Sequence, residues 1–162
     1  MAGDYIYSLD TSVLVNGWRK TYSPDVFPAL WKKFDKLIAD GRVFAIDEVL
    51  RELSKQDDEI LAWAKDREHM FVRIDSDGEI QVAVTEILFR FPRLVDTSKS
   101  RSIADPFVIA LAKVRGYTVV TEEKVGGTIE KPKIPFVCQE MDIRCINFLQ
   151  LLREQGWVFG SA

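Results

Sequence analysis

Five short runs rich in β-branched and aromatic residues are spaced along the chain, each separated from the next by stretches with helical periodicity. They are residues 5–9 (YIYSL), 43–46 (VFAI), 71–74 (FVRI), 117–120 (YTVV) and 143–146 (IRCI). This alternation leaves few architectures open. Parallel neighbours need a long crossover, normally a helix, and a parallel sheet has to be covered on both faces. The pattern predicts an α/β chain with a central, mostly parallel twisted sheet of four to five strands, helices on both sides and right-handed crossovers. Residues 1–162 read as one domain, because no repeat, low-complexity segment or linker interrupts the alternation.

Local signals place the helices. Ser23 and Pro24 read as an N-cap and first helical position, followed by a stripe of Phe27, Leu30, Trp31, Phe34, Leu37 and Ile38 and a stop at Gly41. Asp47 reads as the cap of a helix carrying Val49, Leu50 and Leu53, and Asp57, Asp58 and Glu59 as the acidic first turn of the next. Asp75 to Gly78 is a turn and cap cluster before a helix over 79–91, which Pro92 ends. A small-residue apolar helix follows residue 103 and stops at Gly116, a short helix lies around 136–140, and Asn147 caps the last one. The Trp157-Val158-Phe159 tail is expected to pack on the core or to meet a partner chain.

Composition narrows the function. Apolar residues make up 47%, enough for a full core, and the net charge of −3 lacks the basic footprint of a general nucleic-acid binder. No apolar run is long enough to span a membrane and the first residues carry no signal-peptide pattern, so a cytoplasmic protein is expected, with Cys138 and Cys145 reduced. Two cysteines and one histidine cannot make a Cys/His zinc site, and His69 sits in a charged helix end suited to the surface. Lys32, Lys33 and Lys36 lie mostly off the apolar stripe and read as a solvated face. The most basic window, 90–101, sets Arg90, Arg93, Lys99 and Arg101 against Asp96 alone.

Any chemistry therefore falls to carboxylates. Asp10 ends the first strand, followed by the hydroxyls of Thr11 and Ser12. Glu48 and Glu52, four apart, share a face of the helix after the second strand; Asp105 opens the apolar helix; Glu122 and Glu123 follow the fourth strand. Acids at the carboxyl ends of parallel strands stand where α/β proteins bind ligands. Carboxylates held together raise one another's pKa or bind a hard divalent cation such as Mg²⁺ or Mn²⁺. A cation so held activates water against a phosphoryl centre. Structural duties compete for the same residues: Asp105 before Pro106 matches an N-cap, Asp10 could cap a helix, and Glu48 and Glu52 could be surface acids.

The segments Leu9-Asp10-Thr11-Ser12-Val13-Leu14, Val49-Leu50-Arg51-Glu52-Leu53, Ala104-Asp105-Pro106-Phe107-Val108-Ile109-Ala110 and Val119-Val120-Thr121-Glu122-Glu123 resemble, in order and interval, the motif set of PIN-domain nucleases. The stretches 133–138 and 143–147 resemble a bacterial PIN-like family of uncharacterised function allied to VapC-type toxins. The resemblance implies a three-layer α/β/α fold and a Mg²⁺- or Mn²⁺-dependent endoribonuclease, the toxin of a type II toxin–antitoxin pair, with an antitoxin partner and a possible homodimer. It implies Asp10, Glu52 and Asp105 as metal-site acids, with Ser12 and Thr121 as accompanying hydroxyls. Apart from the resemblance, Glu48, a turn before Glu52, is an auxiliary candidate, and Arg93, Lys99 and Arg101 of the basic window are candidates to hold the RNA backbone. The family often has Asp at the fourth place, where this chain has Glu123, a longer arm. That departure and the acidic charge motivate an alternative: a catalytically inactive PIN-like RNA- or protein-binding regulatory module. A haloacid dehalogenase-type phosphatase would need an acid where Ser12 stands.

Overall fold

The computed structural model describes residues 4–55, 58–95 and 103–160 of the 162-residue chain. Strands β1 (Tyr7–Leu9), β2 (Val43–Ile46), β3 (Phe71–Val72), β4 (Thr118–Val120) and β5 (Cys145–Ile146) form one sheet in the order β3-β2-β1-β4-β5. Every neighbouring pair is parallel, and β1 lies in the middle with Tyr7 opposite both Val43 and Thr118. The helices are α1 (Thr11–Asn16), α2 (Pro28–Ala39), α3 (Asp47–Leu53), α4 (Asp58–Lys65), α5 (Gly78–Arg90), α6 (Asp105–Arg115), α7 (Ile134–Glu140) and α8 (Phe148–Glu154). This is a three-layer α/β/α, PIN-like fold.

Successive residues of β1 point to opposite faces, and their hydroxyls identify the two covering layers. Tyr7 donates to Glu154 of α8, while Ser8 donates to the Val108 carbonyl of α6 at 2.9 Å. On the Tyr7 side an aromatic cluster joins α2, α4 and α8: the Phe34 ring meets Phe148 at 5.4 Å and stacks on Trp63 at 6.3 Å. On the Ser8 side α6 packs on β1 and β2, and α5 packs on α6. Phe34 and Phe148 are almost wholly buried, each contributing roughly 1.5–3 kcal/mol of apolar transfer.

Three expected boundaries move. α2 begins at Pro28, not Pro24. A helix started at Pro24 would need an N–H from residue 28 to the carbonyl of residue 24, and proline has none. Residues 23–26 form a turn instead, the Ser23 carbonyl accepting from Val26 and Phe27 at 3.0 and 2.8 Å. β2 runs straight into α3, so Ile46 takes the cap position; Asp47 is the first helical residue and pairs with Arg51 at 3.5 Å. β3 ends at Val72, and a single 3₁₀ turn occupies Ile74–Ser76.

Other signals hold. Asp77 caps α5 by accepting from the Ile80 N–H at 3.1 Å. Gly116 ends α6 at φ 71°, a left-handed conformation that suits glycine. Asn147 and Gln150 form a reciprocal capping box on α8. α4 carries the acidic first turn from Asp58 onward, and Asp57 lies outside the described residues. His69 is exposed. In the tail Trp157 and Phe159 pack against the core, while Val158 is 85% exposed. No helix among the described residues is long and apolar enough to cross a membrane.

Candidate active site

Chain order runs outward from β1 through β2 to β3 on one side and through β4 to β5 on the other. The reversal between β1 and β4 is a topological switch point, and open parallel sheets bind ligands outside the carboxyl ends of the strands there. Asp10 leaves β1 and Thr121 leaves β4 at that point. The backbone N–H of Asp10 donates to the Val120 carbonyl at 2.9 Å, so the two strand ends stay in register up to the site.

Asp10 is 3% exposed. Its backbone occupies the cap position of α1, yet its side chain makes no capping bond. The carboxylate turns to hydroxyls instead: Oδ2 accepts from Ser12 Oγ at 2.6 Å and from Thr121 Oγ1 at 2.8 Å. Both hydroxyls are themselves oriented, since Ser12 accepts from the Glu122 N–H at 3.0 Å and Thr121 from the Glu123 N–H at 3.1 Å. An accepting N–H contact leaves each hydroxyl proton to point at Asp10. Burial pushes the Asp10 carboxyl up to about 6; the two hydroxyls oppose the rise, and the charges of Glu123 and Glu52 add to it.

Glu52 is half-buried on α3 and joins two parts of the site. Oε2 accepts from Thr11 Oγ1 at 2.7 Å, and Oε1 accepts from the Ala104 N–H at 3.2 Å. The first contact ties α3 to the residue after Asp10; the second ties it to the residue before Asp105. Asp105 is 4% exposed and is the first residue of α6, with Ala104 at the cap position. The capping role open for Asp105 in the sequence is therefore not the one it takes.

The two glutamates after β4 reach helix starts. Glu122 Oε1 accepts from the Phe148 N–H of α8 at 3.0 Å, and Glu123 Oε2 from the Ile134 N–H of α7 at 2.7 Å. The longer arm of Glu123, compared with Asp, spans that distance while its charge still acts on Asp10. Glu48 pairs with Arg51 on its own helix. Arg93 is exposed beyond α5; Lys99 and Arg101 lie outside the described residues. Cys138 and Cys145 are free thiols. Sequence reasoning missed the Thr11–Glu52 bond and the two helix-start contacts. Only the adjacency of Thr11 to Asp10 hinted at the first; nothing local signals contacts spanning 26 and 11 residues.

In kind, these oxygen donors fit a hard divalent cation. A carboxyl whose pKa is raised first by burial and further by neighbouring acids is a group that a nearby cation would favour in its charged form. As the side chains stand, no group of three or more Asp, Glu, His or Cys among the described residues is gathered into an ion cage. Both Glu52 oxygens and one Glu123 oxygen are held by the hydrogen bonds just described.

The fold is shared with two solved structures. FitAcB from Neisseria gonorrhoeae superposes with a TM-score of 0.53 at 18% identity, covering 88% of this chain and 97% of that one. VapBC2 from Rickettsia felis, bound to a DNA fragment from their promoter, gives 0.53 at 15% identity, covering 88% and 98%. At such identities the likeness is one of fold. No curated protein matches the chain. A family model does, over residues 7–159, and the chain belongs to that family, a domain of unknown function (DUF4411).

Proposed function

We propose that this single domain is a metal-dependent endoribonuclease that hydrolyses RNA phosphodiester bonds, VapC-like, and the toxin of a type II toxin–antitoxin pair. The observation that carries the reading is the buried Asp10 at the switch point, hydrogen-bonded by Ser12 and Thr121 and raised to about 6 in the company of Glu123 and Glu52. The likeness in fold to FitAcB and VapBC2 and the motif resemblance support it. Asp10, Glu52 and Asp105 would hold Mg²⁺ or Mn²⁺. When bound, such a cation supplies an activated water and neutralises charge at the phosphoryl group. Ser12 and Thr121 fix the Asp10 carboxylate, Thr11 positions Glu52, and Glu123 adds negative charge while anchoring α7. Arg93, Lys99 and Arg101 would meet the RNA backbone. The protein partner would be an antitoxin, and Val158 offers an exposed apolar residue to a second copy.

A second reading, an inactive PIN-like binding module, draws on one observation: both Glu52 oxygens and one Glu123 oxygen already hold protein hydrogen bonds. Calorimetric titration with Mn²⁺ on wild type and Asp10→Asn, with single-stranded RNA cleavage alongside, separates the two. Binding and cleavage by wild type that vanish in a folded Asp10→Asn support the nuclease. A wild type that neither binds Mn²⁺ nor cuts RNA supports the binding module.

A further inference from the structure

We propose that Cys145 is an oxidation site for hydroperoxides and that Cys138 resolves it, the pair cycling between two thiols and a disulfide. The chemistry is independent of metal-assisted cleavage. The backbone brings the two residues together. α7 ends in a Schellman motif: the Asp142 N–H donates to the Gln139 carbonyl at 3.3 Å and the Ile143 N–H to the Cys138 carbonyl at 2.8 Å, with Asp142 in the left-handed region at φ 57°. The chain turns back there, and β5 packs against the helix it has just left. Cys145 is the first residue of β5, opposite Val119 of β4. In this arrangement the Cys138 thiol is hydrogen-bonded to the Cys145 sulfur.

Their surroundings give the two sulfurs different parts. Cys138 is wholly buried in the core. Cys145 is half-buried and lines a cleft of about 400 Å³, together with Thr121, Glu123 and Pro135. A small oxidant entering the cleft meets Cys145 first, and an uncharged peroxide is not repelled by the acids there. The bond from Cys138 draws the Cys145 thiol below its usual range, against burial and the charges of Asp10 and Glu123. The same bond, with burial, pushes the Cys138 thiol up. The thiolate is the nucleophile, so the accessible sulfur is also the reactive one. A buried cysteine without such a partner behaves as a small, inert hydrophobe.

With hydrogen peroxide the steps balance as follows. The Cys145 thiolate attacks one peroxide oxygen; the O–O bond breaks, hydroxide leaves, and Cys145 becomes a sulfenic acid. The hydroxide takes up the proton that Cys145 released on ionising. The Cys138 thiol then attacks the sulfenic sulfur. The S–S bond forms, the S–O bond breaks, and the sulfenic hydroxyl leaves with the Cys138 proton as water. Each sulfur gives up one electron and the peroxide takes two. A dithiol reductant returns both thiols, so the pair stays reduced until peroxide rises, as intracellular redox-sensing thiols do.

The test treats the reduced full chain with a small excess of hydrogen peroxide, blocks remaining thiols with N-ethylmaleimide and digests it without reductant. Trypsin cuts after Lys133, Arg144 and Arg153, so the two cysteines fall on separate peptides, 134–144 and 145–153. Mass spectrometry should find these two peptides joined, and dithiothreitol should part them. In Cys138→Ala, Cys145 should stop at the sulfenic acid and be trapped by dimedone. In Cys145→Ser, confirmed as folded by thermal melting, Cys138 should be oxidised at least about tenfold more slowly than Cys145 in wild type. The wild-type digest decides even where a variant fails to fold. No joined peptides in wild type, or a disulfide that links two chains on a non-reducing denaturing gel, overturns the pair. Oxidation of Cys138 in folded Cys145→Ser as fast as that of the wild type overturns the assignment of Cys145 as the attacking thiol.

Discussion

Replacing Asp10 with Asn should make the metal-free protein more stable at neutral pH while removing its activity. Asp10 is 3% exposed, and its carboxyl is raised from 3.8 to about 6. The folded chain therefore holds this proton more tightly than the unfolded chain does. The stability tied to that proton is fully present below about pH 4 and is lost as pH rises through about 6. At roughly 1.4 kcal/mol per unit, a shift of about two units costs the ionised site ~3 kcal/mol at pH 8. Asn carries no charge, and its carbonyl oxygen can still accept from the Ser12 and Thr121 hydroxyls. In EDTA at pH 8 the variant should gain ~3 kcal/mol, or roughly 6–12 °C in Tm for a chain of this size, with the gap closing near pH 4. Thermal melts from pH 4 to 8 read this directly. Parallel curves for wild type and variant would refute the account of a carboxylate ionised at a cost. Saturating Mn²⁺ should reverse the order, because only the wild type gains binding energy from the metal.

Asp105→Asn should abolish RNA cleavage while the far-ultraviolet spectrum stays that of wild type; undiminished metal-dependent cleavage would remove Asp105 from the site. Reversing charge at Lys99 and Arg101 together should weaken RNA binding and flatten its dependence on log salt by about one to two units of slope; an unchanged slope would rule out phosphate contacts there. Gly127 stands at φ +112°, and a Cβ added to it would lie 2.9 Å from the Lys133 nitrogen. Gly127→Ala should therefore cost about 1–3 kcal/mol in urea denaturation, and a loss under 0.5 kcal/mol would mean that the loop relaxes freely.

Much of the fold was legible because its signals are local. The stripe from Leu30 to Ile38, the Gly116 stop and the Asn147 cap each act within one or two helical turns, and each appears as read. The start of α2 was legible too but misread: Pro28 forbids a helix from Pro24, and that clash can be seen in sequence. The acids of the candidate site could be picked out as types at strand ends. Their engagements could not. Glu123 anchors α7, Glu122 holds α8, and Glu48 turns to Arg51, choices among acids that look alike in the chain.

By itself the sequence determined the strand–helix alternation, the parallel sheet it forces, and the supply of carboxylates without a histidine or cysteine set to replace them. Tertiary structure alone decided which carboxylates are buried, Asp10 and Asp105, and what holds them. Asp10 is held by Thr121 from 111 residues away, and Glu52 joins Thr11 across 41 residues to the start of α6. Secondary structure follows from neighbours in the chain. A pKa follows from the solvent a group has lost and the charges beside it, and both are set only when distant segments close over the end of β1.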